Sequence, residues 1–314
     1  MKSALLIVTG CAGSFLTSPA VAQAVRLGEV AGNNPRYLQV PDSPSLRPAN
    51  ITLECWVHPV GQGYGNTTSG ALLIGRPGQG TSGNYLVTWG LYYVVSTGKF
   101  FFEMAGPAFG TNGQGIVSTA TIPLGGTAHI AATYDGQTMK LYFNGALDVQ
   151  ATATYPTFNY TRPDNVTFGA ANYLFNFERR FDGELDEIRI WNTARSAAQI
   201  IAGRNLRLCT DQLGLMGHWS FTNNSLLDTT GNANHAAAVT AVSFPAEFAT
   251  IAACYANCDC SVAAPLLNIN DFVCYLNRFA TGDPYANCDA STAPPTLNVA
   301  DFICFMNAYA AGCP

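Results

Sequence analysis

The sequence predicts two units: a large all-β sandwich over residues 23–249 and a small α-helical module over residues 250–314. Three observations carry this. Short apolar runs alternate with polar positions through the first unit and are separated by Gly, Asn and Asp turns, as in sandwiches and barrels. The last 60 residues are one 30-residue unit written twice, Tyr255–Pro284 and Tyr285–Pro314, with 17 of 30 positions identical and no gap. A tandem period of that size marks one supersecondary unit used twice. Each copy closes on an apolar pattern at helical spacing.

Residues 1–22 read as a secretion signal. Lys2 is the basic n-region, Ala4–Leu16 is apolar, and Ala20-Val21-Ala22 fits a cleavage site before Gln23. The stretch is too short to span a membrane, and no second hydrophobic segment follows. The expectation is a secreted protein, extracellular or at the cell surface, without a transmembrane segment. Val8-Thr9-Gly10-Cys11 offers a rival lipoprotein reading, but only Met1–Ile7 precedes it, short for an h-region.

In the first unit, Ile51–Val57 alternates, and His129–Tyr134 does so less cleanly. Lys140–Phe143 runs into Asn144-Gly145, a strong hairpin signal, and Asp135-Gly136 marks the turn before it. Leu185–Trp191 alternates again, and Arg195–Ala202 is the one short helix expected. The unit is long enough for two packed sheets.

Charged residues make up only 11% of the chain and the net charge is −5. Lys2, Lys99 and Lys140 are the only lysines, and no basic run occurs. Nucleic acid therefore has no electrostatic footprint here.

The repeat is chemically pointed. Asn257, Asp259 and Ser261 alternate like positions 1, 3 and 5 of a calcium loop, and Asn268 and Asp271 sit like positions 9 and 12. The second copy repeats them as Asn287, Asp289, Ser291, Asn298 and Asp301. Oxygen side chains at such spacing let the chain curl around a hard cation, Ca2+. Each loop carries an insertion around Pro265 or Pro294-Pro295 and lacks the usual glycine. The helical stripes that follow are Phe272, Leu276, Phe279 and Phe302, Met306, Tyr309. A tail this short also needs a metal or disulfide simply to fold.

Nine cysteines follow the signal. In an exported chain they read as disulfides first. Cys258 and Cys274 recur as Cys288 and Cys304 at the same separation, so one bridge is expected inside each copy. Cys254 and Cys313 bracket the module and would clasp its ends. Cys55 and Cys209 pair only by arithmetic, and Cys260 is the odd thiol. A zinc reading of Cys254, Cys258 and Cys260 lacks a second half.

The pattern N-C-D-x-S…L-N-x-x-D-F-x-C resembles the cysteine-bearing bacterial dockerin module over Tyr255–Cys313. The resemblance implies calcium-dependent folding and docking to a cohesin-like protein. It assigns partner reading to loop positions 10 and 11, here Ile269, Asn270, Val299 and Ala300, which are more apolar than the Ser or Thr common in that family.

Tyr37–Leu46, Thr52–Pro59, His129–Gly136, Leu141–Gly145, Phe181–Asn192 and Leu215–Phe221 together resemble the laminin G-like, pentraxin-like jelly roll of the concanavalin A-like lectin and glucanase superfamily. Members bind glycans or extracellular proteins, often with calcium. The resemblance points to Asp186 as a metal ligand that would meet the Asn33–Asn34 turn. The alternative is that Asp186 caps a turn or pairs with Arg189. Trp56, Trp191 and Trp219 read as core. Trp89, Tyr92 and Tyr93 offer either a stacking platform for a sugar ring or further packing.

Hydrolases on this fold carry strand carboxylates as E-x-D-x-x-E or E-x-D-x-E, one nucleophile and one acid. Here Glu184 and Asp186 share a face, but the third member is Ile188 or Arg189, and alternation turns Glu187 to the opposite face. His58, His129, His218 and His235 make no triad spacing. The expectation is a non-catalytic protein binding a polysaccharide or other glycan, with a docking tail. An adhesion protein that sees no sugar is the alternative, and a glycoside hydrolase the least favoured.

Overall fold

The computed structural model describes residues 24–30, 34–63, 70–78, 86–105, 113–171, 179–206, 208, 212–246, 256–259, 267–283, 286–289, 291 and 294–312. The signal segment, Asn33, Cys209, Cys254, Cys260, Ser261 and Cys313 lie outside the described residues.

The strands, in chain order, are β1 (Val25–Val30), β2 (Asn34–Arg36), β3 (Leu38–Val40), β4 (Ile51–Pro59), β5 (Ala71–Gly78), β6 (Leu86–Val94), β7 (Lys99–Met104), β8 (Gln114–Thr121), β9 (Ala128–Tyr134), β10 (Thr138–Phe143), β11 (Ala146–Thr152), β12 (Val166–Phe168), β13 (Gly183–Trp191), β14 (Leu215–Trp219) and β15 (Ala237–Ala238). The helices are α1 (Ala197–Gly203), α2 (Ile269–Thr281) and α3 (Val299–Ala311). Among the described residues the strands form two antiparallel sheets. The larger runs β11-β10-β9-β4-β13-β1-β2, with β14 also on β13; the smaller runs β15-β3-β12-β5-β6-β7-β8. No helix among the described residues is long and apolar enough to cross a membrane.

The core lies between the sheets. Leu53, Cys55 and Val57 of β4, Ile130 and Ala132 of β9, and Ile188 and Ile190 of β13 meet Trp89, Leu91 and Tyr93 of β6 and Phe100, Phe102 and Met104 of β7. Phe168 and Trp219 join the two layers edge to face, with ring centroids 4.8 Å apart. The alternation follows from the pleat, which sends successive side chains to opposite faces. The Cys55 thiol is free and buried in this core, so the pairing with Cys209 is not made.

The Asn144-Gly145 signal is a two-residue hairpin between β10 and β11. Both residues sit at positive φ, 51° and 86°, as a turn matched to strand twist requires. Helix α1 caps itself: the Ser196 side chain accepts from the Gln199 N–H, and Gln199 returns to the Ser196 backbone. Its Ile200 packs on Ala131 and Tyr142 on the outer face of the larger sheet.

That outer face corrects two expectations. Trp56 is not in the inter-sheet core. It is half-buried on the outer face, donating its indole N–H to Arg204 O at 2.8 Å. Trp191 is buried, but in a separate cluster with Leu206, Leu208 and Leu215. Only Trp219 of the three fills the main core.

In the tail, α2 and α3 are copies. The expected stripe is rotated by one residue: Tyr275 and Phe305 are fully buried, whereas Leu276 and Met306 are 41% and 38% exposed. Phe272, Phe279, Phe302 and Tyr309 pack around the buried pair.

Candidate functional site

The two tail loops are built alike. Asn268 and Asn298 are N-caps, their side-chain oxygens accepting from the N–H groups of Asn270 and Ala300 at 2.8 Å. Asp271 and Asp301 follow at N3, completing capping boxes. Both are fully buried. Each also spans its loop. Asp271 accepts from the N–H of Asp259 at 3.0 Å and of Asn268 at 2.8 Å. Asp301 accepts from the N–H of Asp289 at 3.2 Å and of Asn298 at 2.8 Å. In the second loop the Ser291 N–H donates to Asn287 Oδ1 at 3.0 Å and to Asp289 Oδ1 at 2.9 Å. Asn257 and Asp259 open the first loop, with Asn257 buried.

The electrostatics favour a cation. Burial raises the Asp271 pKa, its backbone donors lower it, and the adjacent Asp259 carboxylate raises it again. The repeat holds five Asp and one basic residue, Arg278, which is spent on Asp283 at 3.0 Å. An all-oxygen set of carboxylates and amides suits a hard ion. No set of three His, Cys, Asp or Glu side chains converges among the described residues, so any such site must also draw on Asn, Ser or backbone oxygens.

Cys258, between Asn257 and Asp259, is bonded to Cys274 on α2; Cys288 is bonded to Cys304 on α3. Each bridge ties loop to helix. Ile269 and Val299 are 69% and 70% exposed, and Asn270 and Ala300 are exposed beside them. One helical turn on, Val273, Leu276, Ile303 and Met306 extend the same apolar stripe into solvent. Sequence reasoning missed this second stripe because it groups Leu276 and Met306 into one stripe with Phe272, Phe279, Phe302 and Tyr309.

The sandwich carboxylates are occupied. A bulge in β13 between Asp186 and Arg189 sends Leu185, Ile188 and Ile190 all to the core. Glu187 therefore does not oppose Asp186 by simple alternation. It takes φ 47°, ion-pairs with Arg189 and lies against His218 Nε2, both at 2.7 Å. Asp186 is fully buried, its Oδ1 accepting the Glu187 N–H at 2.7 Å. Asn34 pairs with Val30, on the side of β1 that runs away from the Val25–Leu185 pairing, so Asn34 lies far from Asp186 along the strands. Glu184 lies half-buried opposite His58. Buried Glu54 binds Arg195 and the Trp191 indole, each at 2.7 Å. Burial works to raise its pKa, but Arg195, Arg189 and His129 hold it below the usual range.

The aromatic platform does not form. Trp89 and Tyr93 face the core, Trp89 donating to Tyr160 Oη at 3.2 Å. Tyr92 lies on the other face, buried beneath the Arg179 guanidinium at 5.0 Å.

One cleft of about 270 Å³ opens on the outer face of the smaller sheet. Gln39 and Thr167 pair across β3 and β12 on its floor, with Pro77 beside them. Arg162, Pro163, Asp164 and Asn165 form its wall. Fully buried Arg76 anchors that wall, donating to Arg162 O at 3.2 Å and to Asp42 at 2.5 Å. The Asp42 N–H donates to Asn165 Oδ1 at 3.1 Å.

Residues 32–201, just over half of the chain, match the Laminin_G_3 family model, described as the concanavalin A-like lectin/glucanases superfamily. No curated protein sequence matches the chain. Among solved structures, a candidate carbohydrate-binding protein from Bacteroides ovatus aligns with a TM-score of 0.53 and 16% identity over 73% of this chain and 61% of its own, so the chain spans about three fifths of that protein. The native heptameric SAP-like pentraxin of Limulus polyphemus aligns with a TM-score of 0.48 and 12% identity, over 74% and 98% of the two chains. The CBM40 of Ruminococcus gnavus IT-sialidase, bound to α2,3 sialyllactose, gives 0.44 and 17%, over 57% and 95%. At these identities the likeness speaks for the fold alone. By its family match and its two antiparallel sheets, the chain belongs to the concanavalin A-like lectin/glucanases superfamily.

Proposed function

We propose that this is an exported, non-catalytic binding protein whose sandwich holds carbohydrate and whose calcium-folded, dockerin-like tail docks it to a cohesin-like receptor or cell surface. The observation that carries the reading is the repeated loop, in which a fully buried N3 aspartate accepts backbone N–H groups from both ends of a loop rich in Asn and Asp. Asn257, Asp259 and Asp271 would hold one ion, with Ser261 and Asn268 completing the first copy. Asn287, Asp289, Ser291, Asn298 and Asp301 would hold the other. Calcium supplies positive charge to the loop carboxylates. The chain's own part is to cap the helices, bridge loop to helix through the disulfides, and present Ile269, Asn270, Val299 and Ala300 outward.

For the sandwich, the superfamily and the Bacteroides ovatus likeness support carbohydrate binding. The state of β13 favours binding over hydrolysis. Ile188 is core, Glu187 is committed to Arg189 and His218, and Asp186 is sealed from solvent. A retaining pair needs two carboxyls flanking a bond that substrate can reach.

Calorimetric titration of the chelator-treated full chain with calcium, alongside circular dichroism of tail folding, tests the docking half. Two bound ions per chain, lost in Asp271→Asn/Asp301→Asn, are expected. A tail equally folded in chelator that binds no ion would overturn it.

A further inference from the structure

We propose that the cleft between Gln39, Thr167, Pro77 and the 162–165 wall is the sugar site of the sandwich, and that it takes one neutral pyranose residue through a vicinal diol. This rests on the carbohydrate-binding reading above and adds the site and the ligand class.

The volume sets the scale. About 270 Å³ lies at the small end of ligand pockets, room for one sugar residue and not for a long buried chain. The lining sets the chemistry. A vicinal diol needs an acceptor for its O–H groups and a donor for its oxygens. Asp164 and Asn165, adjacent on the wall, are such a pair. Asn165 is orientated: its Oδ1 already accepts the Asp42 N–H, which leaves its amide nitrogen to donate. The Thr167 hydroxyl donates to Ala170 O at 2.7 Å, so toward a ligand it can only accept. Gln39 is half-buried and its side chain makes no hydrogen bond among the described residues, so both ends of its amide are available.

Charge selects against acidic sugars. The Arg162 guanidinium sits 3.5 Å from Asp164, so the cation that would attract a carboxylate is partly neutralised in place. Pro77 and Pro163 add rigid apolar walls that suit the C–H face of a pyranose ring. The wall is also held before any ligand arrives. Arg76, fully buried, grips Arg162 O and Asp42, and lies over the Tyr160 ring at 5.3 Å. Preorganisation of this kind removes part of the ordering cost of binding.

The test uses the full chain on a printed array carrying cellohexaose, xylohexaose, mannohexaose and galactotetraose, with trigalacturonate and sialyllactose as acidic arms. Asn165→Asp keeps the acceptor for the Asp42 N–H, removes the donor and adds a negative charge to the wall. Gln39→Ala removes a surface amide without touching the core. Thermal melts confirm that each variant folds. The expected result is wild-type binding to a neutral oligosaccharide, weakened at least tenfold in Asn165→Asp and further in the double variant. Wild-type binding that both variants retain would overturn the cleft while leaving the carbohydrate reading standing. Binding confined to the acidic arms would overturn the ligand class. No binding by the wild-type chain would overturn the site and the carbohydrate reading together.

Discussion

Tyr275 and Phe305 stack face to face, their ring centroids 4.0 Å apart and their planes 10° from parallel. They are the same position in the two copies of the repeat, so one sequence supplies both halves of a small core. They differ by one oxygen. The Tyr275 hydroxyl donates to Ala286 O at 3.2 Å, just before Asn287 of the second loop. Phe305 has no hydroxyl to return. Burial, with Asp301 and Asp289 nearby, pushes Tyr275 up to about 12, so the donor keeps its proton across the physiological range.

Tyr275→Phe should cost the tail about 1 kcal/mol, the worth of one neutral hydrogen bond. Tyr275→Ala should cost about 3–5 kcal/mol, because the ring lies at the centre of the cluster. A domain of this size rarely holds more stability than that, so the tail unfolds. Calorimetry of the full chain should then show the tail transition gone and the sandwich transition unmoved. A tail transition unchanged in Tyr275→Ala would refute this packing.

Each disulfide closes a 16-residue separation, worth about 3 kcal/mol of tail stability in the chain-entropy treatment. Calcium binding stabilises by mass action. Cys258→Ser/Cys274→Ser should therefore raise the calcium needed for half-folding by about tenfold, that energy shared over the two ions the folded tail binds. Circular dichroism against free calcium reads the shift directly. An unshifted midpoint would mean that the bridge does nothing for the loop.

What the sequence disclosed, and what it hid, follows from the range of the forces involved. The Asn144-Gly145 hairpin and the α1 cap are local, and were readable. The two tail bridges were readable because the repeat states their spacing twice. The β13 bulge was not. It depends on Arg189 facing Glu54 across β4 and on His218 reaching Glu187 from β14, contacts distant in sequence. Without the bulge, alternation puts Glu187 on the wrong side. The tail stripe failed differently. Tyr275 and Leu276 fit helical periodicity about equally well, and the choice is made by stacking on Phe305, a contact of the second copy. The cleft residues Gln39, Asp164 and Asn165 carry no sequence signal, since polar residues of this kind fill ordinary loops.

Acid should destabilise the sandwich earlier than its carboxylates alone would. Burial pushes His129 down to about 3, with Arg189, Arg204 and Arg195 adding to the shift and Glu54 opposing it. The folded chain therefore leaves His129 neutral where the unfolded chain protonates it. Stability is level above about 6.5 and falls as pH drops from there toward 3. Glu54 and Glu187, both held below their usual 4.5, add their loss only under about 4.5. His129→Gln should flatten melting temperature against pH between 6.5 and 4.5 and leave the steeper fall below 4.5. An unchanged slope in the upper window would assign the acid sensitivity elsewhere.

Glu187 sets two effects against each other. Its φ of 47° is strained for a side chain with a Cβ, at a cost of about 1–2 kcal/mol that glycine would relieve. Its carboxylate also neutralises the buried Arg189 and meets His218. Removing one partner of a buried pair costs about 3–5 kcal/mol, because the remaining charge stays in low dielectric. The pairing term is the larger, so Glu187→Gly should destabilise the sandwich by roughly 2–3 kcal/mol despite the relieved backbone. Glu187→Gln keeps the strain and loses the charge, and should be the less stable of the two. Urea denaturation of both variants decides the order. A glycine variant as stable as wild type would mean that Glu54, 3.9 Å from Arg189, suffices to hold that charge.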